Sequence, residues 1–322
     1  MSRDAVAFLV SRFTTAAREL RADLHLPTEA TELGRIGLFL ACLTVASAVS
    51  YWVALRLLGV PVVGALSSPN VAGLAVPTLV YAHYRGVSIS FGLPERSRIA
   101  DALATALAPG LAVVAASALF AVGFDASFAA LVGWTYHPEA SVVTAAVQAA
   151  EDVALAGLGF GLLVAVVFDL VSSRVGLSPA RAVAATAALA TLFRSVLRDA
   201  AFTLVVFPKP WRVTIVSLLL VAAVCGCVAA GVTYRSAVER SLRPLSRPAL
   251  APVFAFGLLG VVALGTAFAD VPGGVEHALR ALAFGIAALG YHRSASVWVP
   301  AAAMALFSLS IRLVAFVELA AF

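Results

Sequence analysis

Residues 142–171 read VVTAAVQAAEDVALAGLGFGLLVAVVFDLV. Only three side chains in this run are charged, namely those of Glu151, Asp152 and Asp169. A helix of about 20 mostly apolar residues is long enough to cross the hydrocarbon core of a bilayer. The run therefore predicts a membrane-spanning helix. Because its apolar residues are continuous and do not alternate with polar ones, a strand of a membrane β-barrel is excluded.

The composition of the whole chain points the same way. The chain has 322 residues, of which 62% are apolar and 12% charged, and its mean hydropathy is +1.00. Soluble domains contain about 45–50% apolar and about 25% charged residues, so a soluble globular enzyme is excluded. We predict an all-α, polytopic bundle of eight to nine spans from the apolar runs at 36–55, 63–81, 102–122, 142–171, 180–207, 213–232, 250–268, 277–290 and 296–319.

The distribution of charge predicts the topology. Most of the 22 Lys and Arg residues lie in the N-terminal tail and in the loops on its side of the membrane, which predicts a multi-pass protein of the cell membrane with a cytoplasmic N-terminus. The cations lie between apolar runs and form no stripe for phosphates, so a nucleic-acid partner is not expected.

The chain divides into two predicted parts. Residues 1–33 form an amphipathic segment with apolar residues at helical spacing, which predicts a helix on the cytoplasmic face of the bilayer. An alternative is a helix packed on the protein's own loops. Residues 34–322 form one transmembrane helical domain.

Ionisable side chains inside the predicted spans are candidates for function, because burying them in a membrane is costly. Glu151 and Asp152 are adjacent, so they diverge by about 100° on a helix. They could hold a cation or act as a base and its orienting acid; the alternative is a pair that caps or salt-bridges a neighbouring helix. Arg194 and Arg198 share a helix face and are possible charge partners, or anchors to lipid headgroups.

The predicted spans contain other polar and small residues. Arg312 and Glu318 are six residues apart and point to different faces of a helix, so they are not expected to be partners. Gly157 and Gly161 permit a neighbouring helix to approach closely. No metal site or cofactor is predicted. A catalytic zinc ion needs about three protein ligands. No two of the five histidines have the spacing of metal ligands on one helix. The five are His25, His83, His137, His277 and His292.

Three stretches of the chain resemble the CPBP family, the CAAX-prenyl-protease-like intramembrane metalloproteases also called Abi proteins. Residues 84–97, YRGVSISFGLPERS, resemble the linker before the family's third helix. Residues 151–157, EDVALAG, resemble its Glu-Glu-x-x-x-Arg-Gly motif. Residues 291–309 begin YHRSASVWVP and resemble the Tyr-x-Arg-Thr-Gly-Ser-Leu-Trp-Val-Pro entry into its His-x-x-x-Asn helix. The resemblance covers residues 84–322 and is most specific at 296–309.

The resemblance implies a zinc metalloendopeptidase, but most of the implied site is missing. Glu151 matches the glutamate that is expected to activate water, and Asp152 replaces the second glutamate. The Phe-x-x-x-His motif matches residues 193–197 or 256–260, in both cases without the histidine. The positions that carry the degenerate motifs are Ala156 in place of arginine, Phe193, Leu197, Phe256, Gly260, Met304 in place of histidine and Ser308 in place of asparagine.

These departures predict a non-catalytic binding or regulatory scaffold. Its expected partners are a membrane lipid, a lipidated peptide or another membrane helix, and zinc is expected only if the family chemistry is retained. One alternative is a small transporter or permease that uses Glu151 and Asp152 as its ion or proton site. Another is an active CPBP-type intramembrane endopeptidase with an atypical site.

Overall fold

The computed structural model describes residues 28–57, 69–124, 127–132, 142–194 and 271–321, and these residues contain helices and turns but no strand. The predicted all-α class is therefore confirmed for the described part of the chain. Its elements in chain order are α1 (Thr28–Leu57), α2 (Pro69–Tyr84), a 3-10 turn (Arg96–Arg98), α3 (Ile99–Phe124), α4 (Phe128–Leu131), α5 (Val142–Ala154), a π-helical segment (Leu155–Gly161), α6 (Leu162–Asp169), a second π-helical segment (Leu170–Arg174), α7 (Pro179–Leu192), α8 (Val271–Ser294) and α9 (Trp298–Ala321).

Within the described ranges, three helical stretches are long and apolar enough to cross a membrane, namely Arg96–Gly123, Ala149–Arg174 and Trp298–Glu318. Shorter apolar helices cover Arg35–Ser50, Val71–Tyr84 and Pro179–Leu192. The predicted spans at 213–232 and 250–268 lie outside the described residues, as do residues 1–27 of the N-terminal segment. Residues 28–33 of that segment form the beginning of α1.

The helix built from α5, α6 and the two π-helical segments, residues 142–174, is the centre of the packing, and we call it the central helix. From Leu155 to Val171 its side chains are buried except at Leu158 and Asp169. A helix that is apolar on every face needs neighbours on every side. Here α2, α7, α8 and α9 supply them.

Glycines allow α9 to approach the central helix closely. A Cβ atom at Gly161 would lie 2.5 Å from Ala301 Cα, and one at Gly157 would lie 3.1 Å from Ala301 O and 3.2 Å from Ala305 Cβ. Such backbone-to-backbone contact is possible only without side chains at these positions. The predicted close approach at Gly157 and Gly161 is confirmed.

One end of the bundle collects the start of α1 and three of the connections between helices. Arg174 Nη2 donates to Arg85 O at 2.9 Å, Val297 N donates to Ser90 O at 3.1 Å, and Arg85 also forms an ion pair with Glu32. We call this the arginine-rich end, because it carries Arg35, Arg85, Arg96, Arg98, Arg174, Arg181 and Arg293.

The turn between α8 and α9 is fixed to the loop between α2 and α3. Ser296 Oγ donates to Gly92 O at 2.6 Å, and the indole Nε1 of Trp298 donates to Phe91 O at 2.7 Å. Within the turn, Ala295 has a φ of 51°, in the left-handed region that favours glycine. Long-range hydrogen bonds thus hold an unfavourable local conformation in place.

Candidate functional site

Glu151 and Asp152 lie near the end of α5, just before the π-helical segment. Glu151 is 9% exposed, whereas the side chain of Asp152 is 45% exposed. Successive residues on a helix diverge by about 100°, which accounts for the difference. One carboxylate therefore faces the interior while its neighbour lies at the edge of the bundle.

Asp152 forms an ion pair with Arg312 of α9, whose side chain is 22% exposed. The packing of α9 explains this contact. Ala301 and Ala305 meet the central helix at Gly157, and Arg312 follows Ala305 by seven residues, so it lies on the same face of α9. The two helices are antiparallel. Two turns farther along α9 from Ala305, the same face therefore reaches Asp152, which precedes Gly157 in the central helix.

The sequence offers Arg194 and Arg198 as possible charge partners of the two carboxylates or as anchors to lipid headgroups. The structure pairs Asp152 with Arg312, a contact that the sequence does not indicate. The guanidinium carbon of Arg194 lies 5.9 Å from the ring centroid of Phe160, a cation–π distance. Arg198 lies outside the described residues.

The structure brings together residues from two of the stretches that resemble CPBP motifs. Ala156 is 7% exposed and lies in the π-helical segment that packs on α9, where Met304 is 3% exposed and Ser308 is half-buried. Phe193 is fully buried, and its ring meets that of Phe160 edge to face at 6.3 Å. Leu197, Phe256 and Gly260 lie outside the described residues.

The described residues do not fit a zinc ion. No group of three His, Cys, Asp or Glu side chains comes together within the five described ranges. Asp152 is paired with Arg312, and Met304 is packed in the hydrophobic core. A thioether among alkyl side chains is a poor substitute for an imidazole as a zinc ligand.

Glu318, near the end of α9, has a structural role that the sequence did not indicate. Its Oε1 accepts a hydrogen bond from Phe128 N at 2.8 Å and its Oε2 accepts one from Ala129 N at 2.7 Å. Backbone amides at the start of a helix have no partner within it, and here the carboxylate satisfies two of those of α4. Glu318 also lines a groove of about 370 Å³ between α3 and α9, whose other lining side chains are mainly apolar.

At the arginine-rich end, Glu32 forms ion pairs with Arg85 and Arg35. Burial raises the pKa of Glu32, but the hydrogen bond and charge of Arg85, together with Arg35, outweigh burial and hold the pKa below its usual value. The ring of Tyr81 stacks on that of Phe39, with a centroid distance of 4.0 Å, and Arg85 lies 5.9 Å from the centroid of the Tyr81 ring. This cluster joins α1 to α2. Only the i,i+3 spacing of Glu32 and Arg35 signals it in the sequence.

No model of a protein family, no curated protein and no solved structure matches this chain.

Proposed function

We propose that the chain is a multi-pass membrane protein with a CPBP-like arrangement of helices that acts as a non-catalytic scaffold. Its ligand would be a membrane lipid, a lipidated peptide or another membrane helix. The observation that carries the proposal is the ion pair between Asp152 and Arg312. A carboxylate pair that binds a cation needs its negative charge, and here a guanidinium from α9 neutralises one of the two.

The membrane location is supported by three helices, among the residues that the structure describes, that are long and apolar enough to cross a bilayer. The topology is supported by the arginine-rich end. All the loops that the charge pattern assigns to the cytoplasm, where they are described, lie at that end together with the start of α1. Cytoplasmic loops are enriched in Lys and Arg, so an N-terminus on the cytoplasmic side of the cell membrane follows from the proposal.

Two features favour the CPBP-like arrangement. The three stretches that carry the resemblance meet around the first half of α9, because residues 90–92 hydrogen-bond to residues 296–298 and Gly157 contacts Ala301. In addition, Ala295, with its left-handed backbone, stands where the family pattern has glycine. The resemblance therefore coincides with contacts in space as well as with sequence order.

Metal analysis and a peptidase assay test the absence of catalysis. The purified protein should contain no more zinc than the Glu151→Gln variant and should cleave neither prenylated nor unprenylated peptides. Stoichiometric zinc with cleavage that depends on Glu151 would overturn the proposal and favour an active endopeptidase. A triple variant serves as a constructive control. It combines Met304→His, Ser308→Asn and Leu197→His, the last in the motif that begins at Phe193, and so restores the family's ligand types. This variant should bind more zinc than the wild-type protein.

Flux measurements in proteoliposomes test the transporter alternative. A scaffold should give no proton or cation flux above that of empty vesicles, with or without Glu151→Gln. Flux that the wild-type protein supports and Glu151→Gln abolishes would make Glu151 a transport site and would refute the scaffold.

A further inference from the structure

We propose that the loop between α2 and α3 and the turn between α8 and α9 together bind the phosphate groups of anionic phospholipids. This inference rests on the proposed membrane location. We call the site the headgroup surface and define it by Phe91, Leu93, Arg96, Arg98, Arg293 and Trp298.

The apolar part of this surface is exposed and lies on a loop that is hydrogen-bonded to the neighbouring turn. Phe91 is 54% exposed and Leu93 is 83% exposed. The backbone beside them is tied to the turn between α8 and α9, because residues 296–298 donate hydrogen bonds to Ser90 O, Phe91 O and Gly92 O. A fixed loop with two exposed apolar side chains is suited to the boundary between headgroups and acyl chains.

The cationic part comes from two segments that are far apart in the chain. Arg98 Nη1 donates to the backbone carbonyl of Arg293 at 2.9 Å, so the two residues are neighbours, and Arg96 belongs to the same 3-10 turn as Arg98. The nearest acidic partner is Glu95, 3.7 Å from Arg98 Nε, and both side chains are more than half exposed. Such exposed pairs are weak.

Two of the arginines are free to bind an anion. Arg96 and Arg293 have no ion pair with any carboxylate of the described residues, and Asp101, in the first turn of α3, is the other acidic group of this region. The planar guanidinium donates two parallel hydrogen bonds to a phosphate. The surface can therefore hold a phosphodiester through more than one arginine.

The position of the surface selects a lipid as its occupant. It lies at the ends of α3 and α9, which both include stretches long enough to cross a bilayer, so the plane of the headgroups passes close to it. The indole of Trp298 is 43% exposed beside the arginines, and tryptophan is enriched at this depth. Anionic lipids of the cytoplasmic leaflet attract arginines at such positions.

Native mass spectrometry of the full chain in detergent measures the inference directly. Phosphatidylglycerol and phosphatidylcholine are added in competition, and the wild-type protein should retain phosphatidylglycerol preferentially. Each of Arg96→Gln, Arg98→Gln and Arg293→Gln should weaken that preference about fivefold. Leu93→Ser should weaken retention of both lipids. Arg56→Gln, at the opposite end of α1, makes the same charge change and should have no effect.

The remaining outcomes separate the possible failures. Equal retention of both lipids by the wild-type protein overturns the inference. So does an unchanged preference in a variant that combines Arg96→Gln, Arg98→Gln and Arg293→Gln. If inorganic phosphate raised the melting temperature as much as phosphatidylglycerol does, the arginines would be assigned to a free anion, and this result would also overturn the inference. Each variant must melt as the wild-type protein does in phosphatidylcholine. Extraction of the chain from membranes by alkaline carbonate would instead refute the proposed membrane location.

Discussion

Replacing Gly161 by alanine tests the packing of α9 on the central helix. The new methyl group would lie 2.5 Å from Ala301 Cα and 2.7 Å from Ala301 N, whereas ordinary contacts begin at 3.4 Å. Because both atoms belong to backbone, the helices must separate by about 1 Å. Overpacking of this kind costs about 1–3 kcal/mol, and alanine returns about 0.5–1 kcal/mol through its greater helix propensity. The expected net loss in the free energy of unfolding is about 0–2.5 kcal/mol, and the loss relative to a glycine-to-alanine change in open space is about 1–3 kcal/mol.

The melting temperature in detergent, followed by tryptophan fluorescence, is the assay. With an unfolding entropy of about 2.1 cal/mol/K per residue, a loss of 1 kcal/mol lowers the melting temperature of a chain of 322 residues by about 1.5 °C. Gly37→Ala is the matched control, because a Cβ atom at Gly37 of α1 meets nothing within 4 Å. That variant should melt at or above the temperature of the wild-type protein. If Gly161→Ala behaves as Gly37→Ala does, α9 does not pack on the central helix as described.

Three further predictions concern single contacts. Ala295→Gly should raise the free energy of unfolding by about 0.5–1 kcal/mol. A non-glycine residue with a left-handed backbone costs about 1–2 kcal/mol, and the extra freedom of glycine in the unfolded chain offsets part of the gain from removing that cost. An unchanged or lower melting temperature would contradict the turn geometry. Asp152→Asn should destabilise the protein by about 1–3 kcal/mol, because it leaves Arg312 without its countercharge. A double-mutant cycle with Arg312→Gln should give a coupling energy well above zero, whereas additive effects of the two substitutions would argue against the pair. Glu32→Gln should lower the melting temperature at pH 7, because a carboxyl whose pKa is lowered in the folded state stabilises the fold at pH values above its ordinary pKa of about 4.3. The difference from wild type should shrink as the pH falls through the lowered pKa, because the wild-type carboxyl is then protonated; a difference that stays constant from pH 7 through the whole acidic range would refute the role of its charge.

The apolar runs of the sequence located the described helices but misjudged their ends. The predicted span at 277–290 is part of α8, which covers Val271–Ser294. Hydropathy falls before residue 277 because of Glu276 and the preceding glycines. The helix nevertheless continues, since Glu276 and Arg280 form an i,i+4 ion pair that neutralises both charges.

The candidate site was predictable in part. The divergence of Glu151 and Asp152 follows from helix geometry alone, and the structure has one buried and one half-exposed. The partner of Asp152 was not predictable, because no local pattern links α5 to Arg312. Their meeting depends on the register of two helices, and that register depends on contacts of Gly157 and Gly161 that exist only in three dimensions.

The π-helical segment at Leu155–Gly161 sets the phase between the two halves of the central helix. A π-helical turn accommodates an additional residue through its i→i+5 hydrogen bonds, so removing one residue there, such as the partly exposed Leu158, would restore a regular α-helix. Because the wider turn absorbs the additional residue, the half that carries Glu151 and Asp152 faces nearly the same direction relative to the buried half with or without it. One residue added to or removed from a regular α-helical part of the central helix would instead rotate the two halves by about 100° relative to each other. The segment is therefore where the central helix can change its length by one residue while both carboxylates keep their direction and Leu162–Asp169 keeps its packing.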